Sequence, residues 1–131
     1  MKTFINPEEL ARPKGYTHVV IATGSTTIHI SGQVSYSTDG AIVGKGDLRA
    51  QTTQVYENLG KALKAAGASY GDIVKTTLLI RDMDAEKVAI IREVRARYLA
   101  GDHPPSSTLI SVPSLIHPDL LLEVEATAVI D

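Results

Sequence analysis

Two glutamates, Glu123 and Glu125, stand two residues apart in the apolar run "LLLEVEATAVI" near the C-terminal end. On a strand, positions i and i+2 point to the same side, roughly 7 Å apart by the strand rise. A carboxylate half-buried among apolar neighbours can work as a general acid or base, because desolvation favours its protonated form. The plainer alternative is a charged stripe on an exposed or subunit-edge face, and spacing alone favours that one.

A hydroxyl cluster comes before it. The stretch "HPPSSTLISV", residues 103 to 112, sets Ser106, Ser107 and Thr108 between a proline pair and an apolar run. A serine nucleophile needs a base beside it, and its strand-to-helix elbow has the pattern G-x-S-x-G. That pattern is absent. The run therefore reads as strand-edge hydroxyls, or as substrate contacts without covalent chemistry. His18, His29, His103 and His117 match neither HExxH nor His-x-His spacing, so the sequence supports no metal site. Gly44-Lys45-Gly46-Asp47 opens a helix, as phosphate loops do, but lacks the full G-x-G-x-x-G and reads as loop and cap. Lys87, Arg92, Arg95 and Arg97 are interspersed with Glu86 and Glu93 on a later helix. They read as a mixed solvated face with an i, i+4 pair at Glu93 and Arg97. Ser31-Gly32, inside the strand-like "HISGQV", marks a bulge or a close approach by another group, or simple packing.

The elements that position these groups follow from periodicity. "THVVIAT" (17–23) and "TIHISGQV" (27–34) read as a hairpin joined at Gly24-Ser25, after an irregular arm over 5–15. Residues 35–46 form a loop. Asp47 caps a helix in which Leu48, Thr52, Val55, Leu59, Ala62 or Leu63, and Ala66 recur at steps of three and four, and Gly67 stops it. Residues 72–80 form a strand. Asp84 caps a second helix, with Val88, Ile91, Val94 and Tyr98 on one face, which ends near Gly101 ahead of Pro104-Pro105. Strands follow at about 106–112 and 120–130. The order β-β-α-β-α-β-β implies an α+β fold, one sheet with both helices on one face. The opposite face, with Leu121 and Val129 beside the glutamates, is too apolar for solvent and calls for an oligomer.

Composition narrows the partners. The 131 residues are 44% hydrophobic and 21% charged, which suits one globular domain over 1–131. The net charge of −2 argues against nucleic acid, whose binders carry a basic excess. No cysteine is present, which excludes disulfides, a thiol nucleophile and thiolate metal ligation. No apolar stretch approaches the ~20 residues that span a bilayer, and the start "MKTFINP" lacks a signal-peptide core. A soluble cytoplasmic protein is expected.

Together, "GYTHVV" (15–20), "ISGQV" (30–34), "AQTTQVYENLGKALKAAGASYGDIVKTTLLIRDM" (50–83), "HPPSSTLISV" (103–112) and "LLEVEATAV" (121–129) resemble, in order, the RidA family, also called YjgF or L-PSP. The resemblance implies a chorismate-mutase-like fold, one mixed sheet with two helices on one face, and a homotrimeric barrel with ligand clefts between subunits. It implies hydrolysis of reactive enamines and imines to a keto acid and ammonia, with no cofactor. It places Tyr16 at the cleft lining, Ser31 and Gly32 at its wall, and Glu123 at the attacking water. It departs from the family in the hydroxyl run. Deaminating members carry P-A-R-S-C or P-A-R-S-A there, and the arginine clamps the substrate carboxylate as a bidentate pair. Here that position is Ser106, followed by Ser107 and Thr108 as substrate contacts. The resemblance therefore implies a deaminase-type hydrolase of atypical specificity that handles carboxylate-anchored imines poorly. A non-catalytic trimeric binding or regulatory protein is the alternative, ahead of an endoribonuclease or translation inhibitor.

Overall fold

Two aspartates start the helices. Asp47 accepts a hydrogen bond from the Ala50 amide (3.0 Å) and opens α1, Leu48–Ala65. Asp84 accepts from Lys87 N (2.8 Å) and opens α2, Ala85–Arg95. At the end of α1, Gly67 takes φ +76, its amide reaches the Lys64 carbonyl, and the Ala68 amide reaches Leu63. This is a Schellman stop, which needs a left-handed residue and so favours glycine. The computed structural model describes residues 1–99 and 101–131.

Six strands are present: β1 Lys2–Ile5, β2 Val19–Ala22, β3 Thr26–Gln33, β4 Ile73–Arg81, β5 Ser106–Val112 and β6 Leu122–Ile130. The main sheet runs β3-β6-β4-β5 and is mixed, because β4 and β5 are parallel while the other pairs are antiparallel. Both helices pack on one face of it, as the element order requires. The second helix stops at Arg95, short of Gly101, and the last strand begins at Leu122 rather than at 120. His18 lies just ahead of β2 rather than within a strand.

The expected hairpin does not form. β2 pairs with β1, in a two-stranded ladder apart from the main sheet, and β3 pairs with β6. The pairing chosen places Ile28 and Ile30 opposite Ala128 and Ala126, on the side that α1 covers. Gly24 carries the chain across, so close to the Ile130 carbonyl and the Val129 side chain that a Cβ would overlap both. β1 escaped notice because four residues at the terminus give too short a pattern to read.

On β6, Leu122, Val124, Ala126 and Ala128 are buried beneath the helices, with Ile80, Leu78, Ile91, Val55, Leu59 and Leu63. One buried polar group joins α1 to the far end of the sheet. Gln51, fully buried, donates to the carbonyls of Gly44 (3.1 Å) and Asp119 (2.8 Å) and accepts from the Leu121 amide (2.9 Å). Tyr98, just after α2, stacks on Tyr56 of α1 at 5.4 Å and meets Tyr70 at a tilt, 5.6 Å away.

Two outcomes follow. Gln51→Leu leaves the Asp119 carbonyl and the Leu121 amide without that partner, while the Gly44 carbonyl keeps the Asp47 amide, and is expected to cost roughly 2 kcal/mol or more, measured by urea unfolding; a change below about 1 kcal/mol would refute the role of this side chain. The Tyr98 phenol is pushed up to about 12 by burial first, then by its hydrogen bond to Glu57 and that carboxylate's charge. Its ionisation is ordinary, near 10, in the unfolded chain. The native state therefore holds the proton longer, and the associated stability is complete below about pH 10 and declines as pH rises through 12. Spectrophotometric tyrosine titration of native and unfolded protein should show the gap, and Tyr98→Phe should narrow it.

Candidate functional site

The carboxylate pair lies on one side of the sheet, whereas the hydroxyl run is divided between both. Glu123 is on β6, one residue out of phase with the buried series, so it projects from the face the helices leave open. It is half-buried there, whereas Glu125 is exposed. Its carboxylate lies over Gly32. A Cβ built on Gly32 would collide with Oε2, Cδ and Cγ of Glu123, so only glycine lets the side chain lie where it does. The close approach expected at Ser31-Gly32 is real, and the β3–β6 register shifts between Ile30 and Gln33 at the same place. Ser31 is exposed, and its carbonyl accepts from Gln33 Nε2 at 3.0 Å. Glu123, Gly32, Asn58 and Ile116 line an open cavity of about 360 Å³, and Ile116 is 82% exposed.

The hydroxyl run is split between faces. Parallel pairing sets Ser106 beside Lys75, Ser107 beside Thr76 and Thr108 beside Thr77. Thr76 belongs to the buried, helix-side series of β4, so Ser107 shares that side, and the Thr76 hydroxyl donates to Ser107 Oγ at 3.0 Å. Ser106 and Thr108 fall on the open face, where Lys75 Nζ donates to Thr108 Oγ1 at 2.6 Å. No single surface of one chain presents all three.

Ser107 opens into a second cavity, about 370 Å³, between β5 and the end of α2. Gly15, Thr76, Arg92, Arg95 and the Pro104-Pro105 pair line it. The loop before β2 is tied to this cavity. Gly15, at φ +79, gives its carbonyl to Arg95 Nη2 (3.0 Å), and a Cβ there would meet that nitrogen. The Thr17 amide donates to the Pro105 carbonyl (3.1 Å) and its hydroxyl to that of Pro104. Tyr16, between these anchors, is half-buried and packs edge-on against His18 at 5.2 Å. This cavity and the Glu123 cavity share no residue.

The solvated face expected on α2 needs correction. Glu93 and Arg97 do pair, at 3.9 Å, and Glu93 also meets Arg49 at 3.0 Å. Arg95, however, is only 6% exposed, and Arg92 is half-buried. The signal was in the spacing. Val88, Arg92, Arg95 and Leu99 recur at i+4, i+3 and i+4, which is the same face as Ile91. Lys75, on the open face, was also missed, since a lone lysine in a strand carries no pattern. Among the described residues, no group of His, Asp or Glu side chains could hold a metal ion.

The sequence profile of the Endoribonuclease L-PSP family matches residues 7–130. A RutC family protein of Pyrococcus horikoshii is 35% identical over 128 residues, spanning 98% of each chain. A mouse 2-iminobutanoate/2-iminopropanoate deaminase is 36% identical over 78 residues, which is 60% of this chain and 56% of its own. A Rid-family protein of unknown function from Yersinia pestis superposes with a TM-score of 0.91 at 37% identity, over 98% of both chains.

Because Glu123 is a flexible side chain, Gly32→Ala is expected to cost less than about 1 kcal/mol while turning the carboxylate away from β3. Thermal unfolding and a crystal structure of the variant check both parts; an unmoved Glu123 would contradict the packing described here.

Proposed function

The chain belongs to the Endoribonuclease L-PSP family, which includes the RidA and YjgF proteins, and on that footing we propose that it hydrolyses small reactive imines or enamines. The observation that carries this reading is the Glu123 carboxylate, half-buried, laid over Gly32 and lining an open cavity beside the end of β3. Hydrolysis of a C=N bond needs a water deprotonated as it attacks and a nitrogen protonated as it leaves. Glu123 takes the proton as the water oxygen bonds to the imine carbon, and returns it to the nitrogen of the carbinolamine. The carbinolamine's hydroxyl proton then passes through Glu123 to the departing nitrogen, so that the C–N bond breaks, ammonia leaves and the carbonyl forms. An enamine enters the same path after tautomerising to the imine. These steps call on no cofactor. The similarity to the mouse deaminase supports the reaction class.

The working unit in this reading is a homotrimer with clefts between subunits. The open sheet face and the free edge of β5 are uncovered in one chain, and Ile110 on that strand is 42% exposed. Glu123 and the cavity with Ser107 are on opposite faces, so a neighbouring copy is what would bring such groups into one cleft. Tyr16, Ser31 and Gly32 shape the cleft around the substrate. Ser106 and Thr108 contact it from the open face and Ser107 from the helix side. The lack of an arginine at Ser106 favours a second reading, a non-catalytic trimeric binder of small molecules. The acidic balance does not favour ribonuclease activity.

With 2-iminopropanoate or 2-iminobutanoate made in situ by an amino-acid oxidase, Glu123→Gln should lower kcat by about 10²-fold or more, with KM changed little. Undiminished turnover in that variant would sink the proposed role; turnover absent from the wild type as well would favour the binder. Light scattering should give a mass three times that of the 14.0 kDa chain, and a monomer would exclude the shared cleft.

A further inference from the structure

The cavity under β5 holds a pair of charges that the mechanism leaves unused. Arg92 and Arg95 lie one turn apart on α2 and both line it. Arg92 Nε is sealed from solvent and has no hydrogen-bond partner. Arg95 spends one nitrogen on the Gly15 carbonyl. Among the described residues, neither has a carboxylate within 4.0 Å, whereas Arg49, Arg81 and Arg97 each do. Burial, opposed by nearby Tyr56 and reinforced by the positive charge of Arg92, lowers the pKa of Arg95. Two neighbouring guanidiniums, one buried and one half-buried, with no carboxylate within 4.0 Å, are costly unless an anion joins them.

The rest of the cavity suits a particular anion. The fork of a guanidinium matches a carboxylate bidentately. Across from the arginines, Ser107 Oγ accepts from Thr76, which leaves the Ser107 proton for a ligand oxygen. Leu99, Ala96, Pro104 and Pro105 supply apolar wall for a short carbon chain. About 370 Å³ is within the range of small-ligand sites.

We propose that Arg92 and Arg95, with Ser107 beside them, form a carboxylate-binding subsite, so that the substrate is a small imine or enamine acid held from α2. As a statement about substrate this rests on the hydrolase reading; as a statement about binding it does not. It reverses the expectation that a serine at 106 leaves carboxylate-bearing substrates without an anchor. The charge stands on α2, on the opposite side of the sheet from Ser106, so the anchored group approaches from another direction.

Calorimetric titration of the full chain with 2-oxobutanoate and benzoate, against the neutral butanone and benzamide and against inorganic phosphate, tests it in the wild type, Arg92→Met and Arg92→Lys. The carboxylates should bind, the neutral analogues should not, and phosphate should bind more weakly. Arg92→Met should weaken the carboxylates tenfold or more, the loss of about one charge-assisted bond, and Arg92→Lys should recover part of it. In turnover of 2-iminobutanoate, Arg92→Met should raise KM tenfold with kcat within about threefold. Equal affinity for acid and neutral analogue, phosphate binding as tightly as the carboxylates, an unchanged Kd in Arg92→Met, or a change of subunit mass in that variant would each overturn the subsite. Arg92-dependent carboxylate binding with no imine turnover would keep the subsite and remove the hydrolase; turnover with a KM indifferent to Arg92 would do the reverse.

Discussion

The alternation of β6 is the constraint on which the rest depends. It runs through the middle of the main sheet, hydrogen-bonded to β3 on one side and β4 on the other. Its even-numbered residues from Leu122 to Ala128 carry the core, and the residues between them carry the carboxylates. A slip of one residue would exchange the two sets and place Glu123 and Glu125 beneath the helices, where an unpaired charge is not tolerated. The burial that stabilises the fold and the outward direction of Glu123 are thus one property of one strand. The rule extends across the ladder, because Leu78 and Ile80 of β4 face inward while Lys75, Thr77 and Leu79 face out.

Around that strand, glycines set the distances. Gly32 lets a carboxylate lie against a neighbouring strand, and Gly15 lets a loop carbonyl reach a buried guanidinium. In each case the side chain that approaches is polar and the absent Cβ is what makes room. The loop over Gly15–Thr17 then joins three separate parts of the chain: the end of α2 through Arg95, the proline pair through Thr17, and β2 by continuity. The proline pair has a structural part here beyond ending a helix. Its carbonyls are acceptors that fix the loop bearing Tyr16 beside the mouth of the Ser107 cavity.

Electrostatics separates the sheet's two faces as firmly as packing does. The open face mixes Lys75, Glu123, Glu125 and His29 with hydroxyls and a few apolar side chains, which suits a surface meeting another copy of itself. The helix side is mainly apolar, and its buried polar groups include Thr52, Thr76, Gln51, which bonds three backbone groups, and Arg95 beside Arg92. Gln51 is satisfied and therefore structural. The arginine pair is not, and an incompletely satisfied buried charge is a place to look for a ligand.

The helices, their aspartate caps, the Gly67 stop, β4, β5 and the two-faced character of β6 were legible in the sequence, because each depends on contacts between residues a few positions apart. At Ser31-Gly32 the strand glycine allowed a bulge, a close approach or simple packing, and only the register shift and the Glu123 contact decide between them. The partner of β3 was not legible. Gly24-Ser25 is compatible with a hairpin, and only competition with β6 for the same edge, decided by burial of Ile28 and Ile30, excludes it. Nor could the sequence tell that Ser106, Ser107 and Thr108 divide between two faces, since that depends on the register of β5 against β4. Arg92 and Arg95 shared the spacing of an apolar stripe, yet their chemical type outweighed their position, and they read as solvated until the cavity beneath β5 enclosed them. Local periodicity is written along the chain. Which edge a strand joins, and which charges end up enclosed together, is settled only when distant segments compete for the same surface.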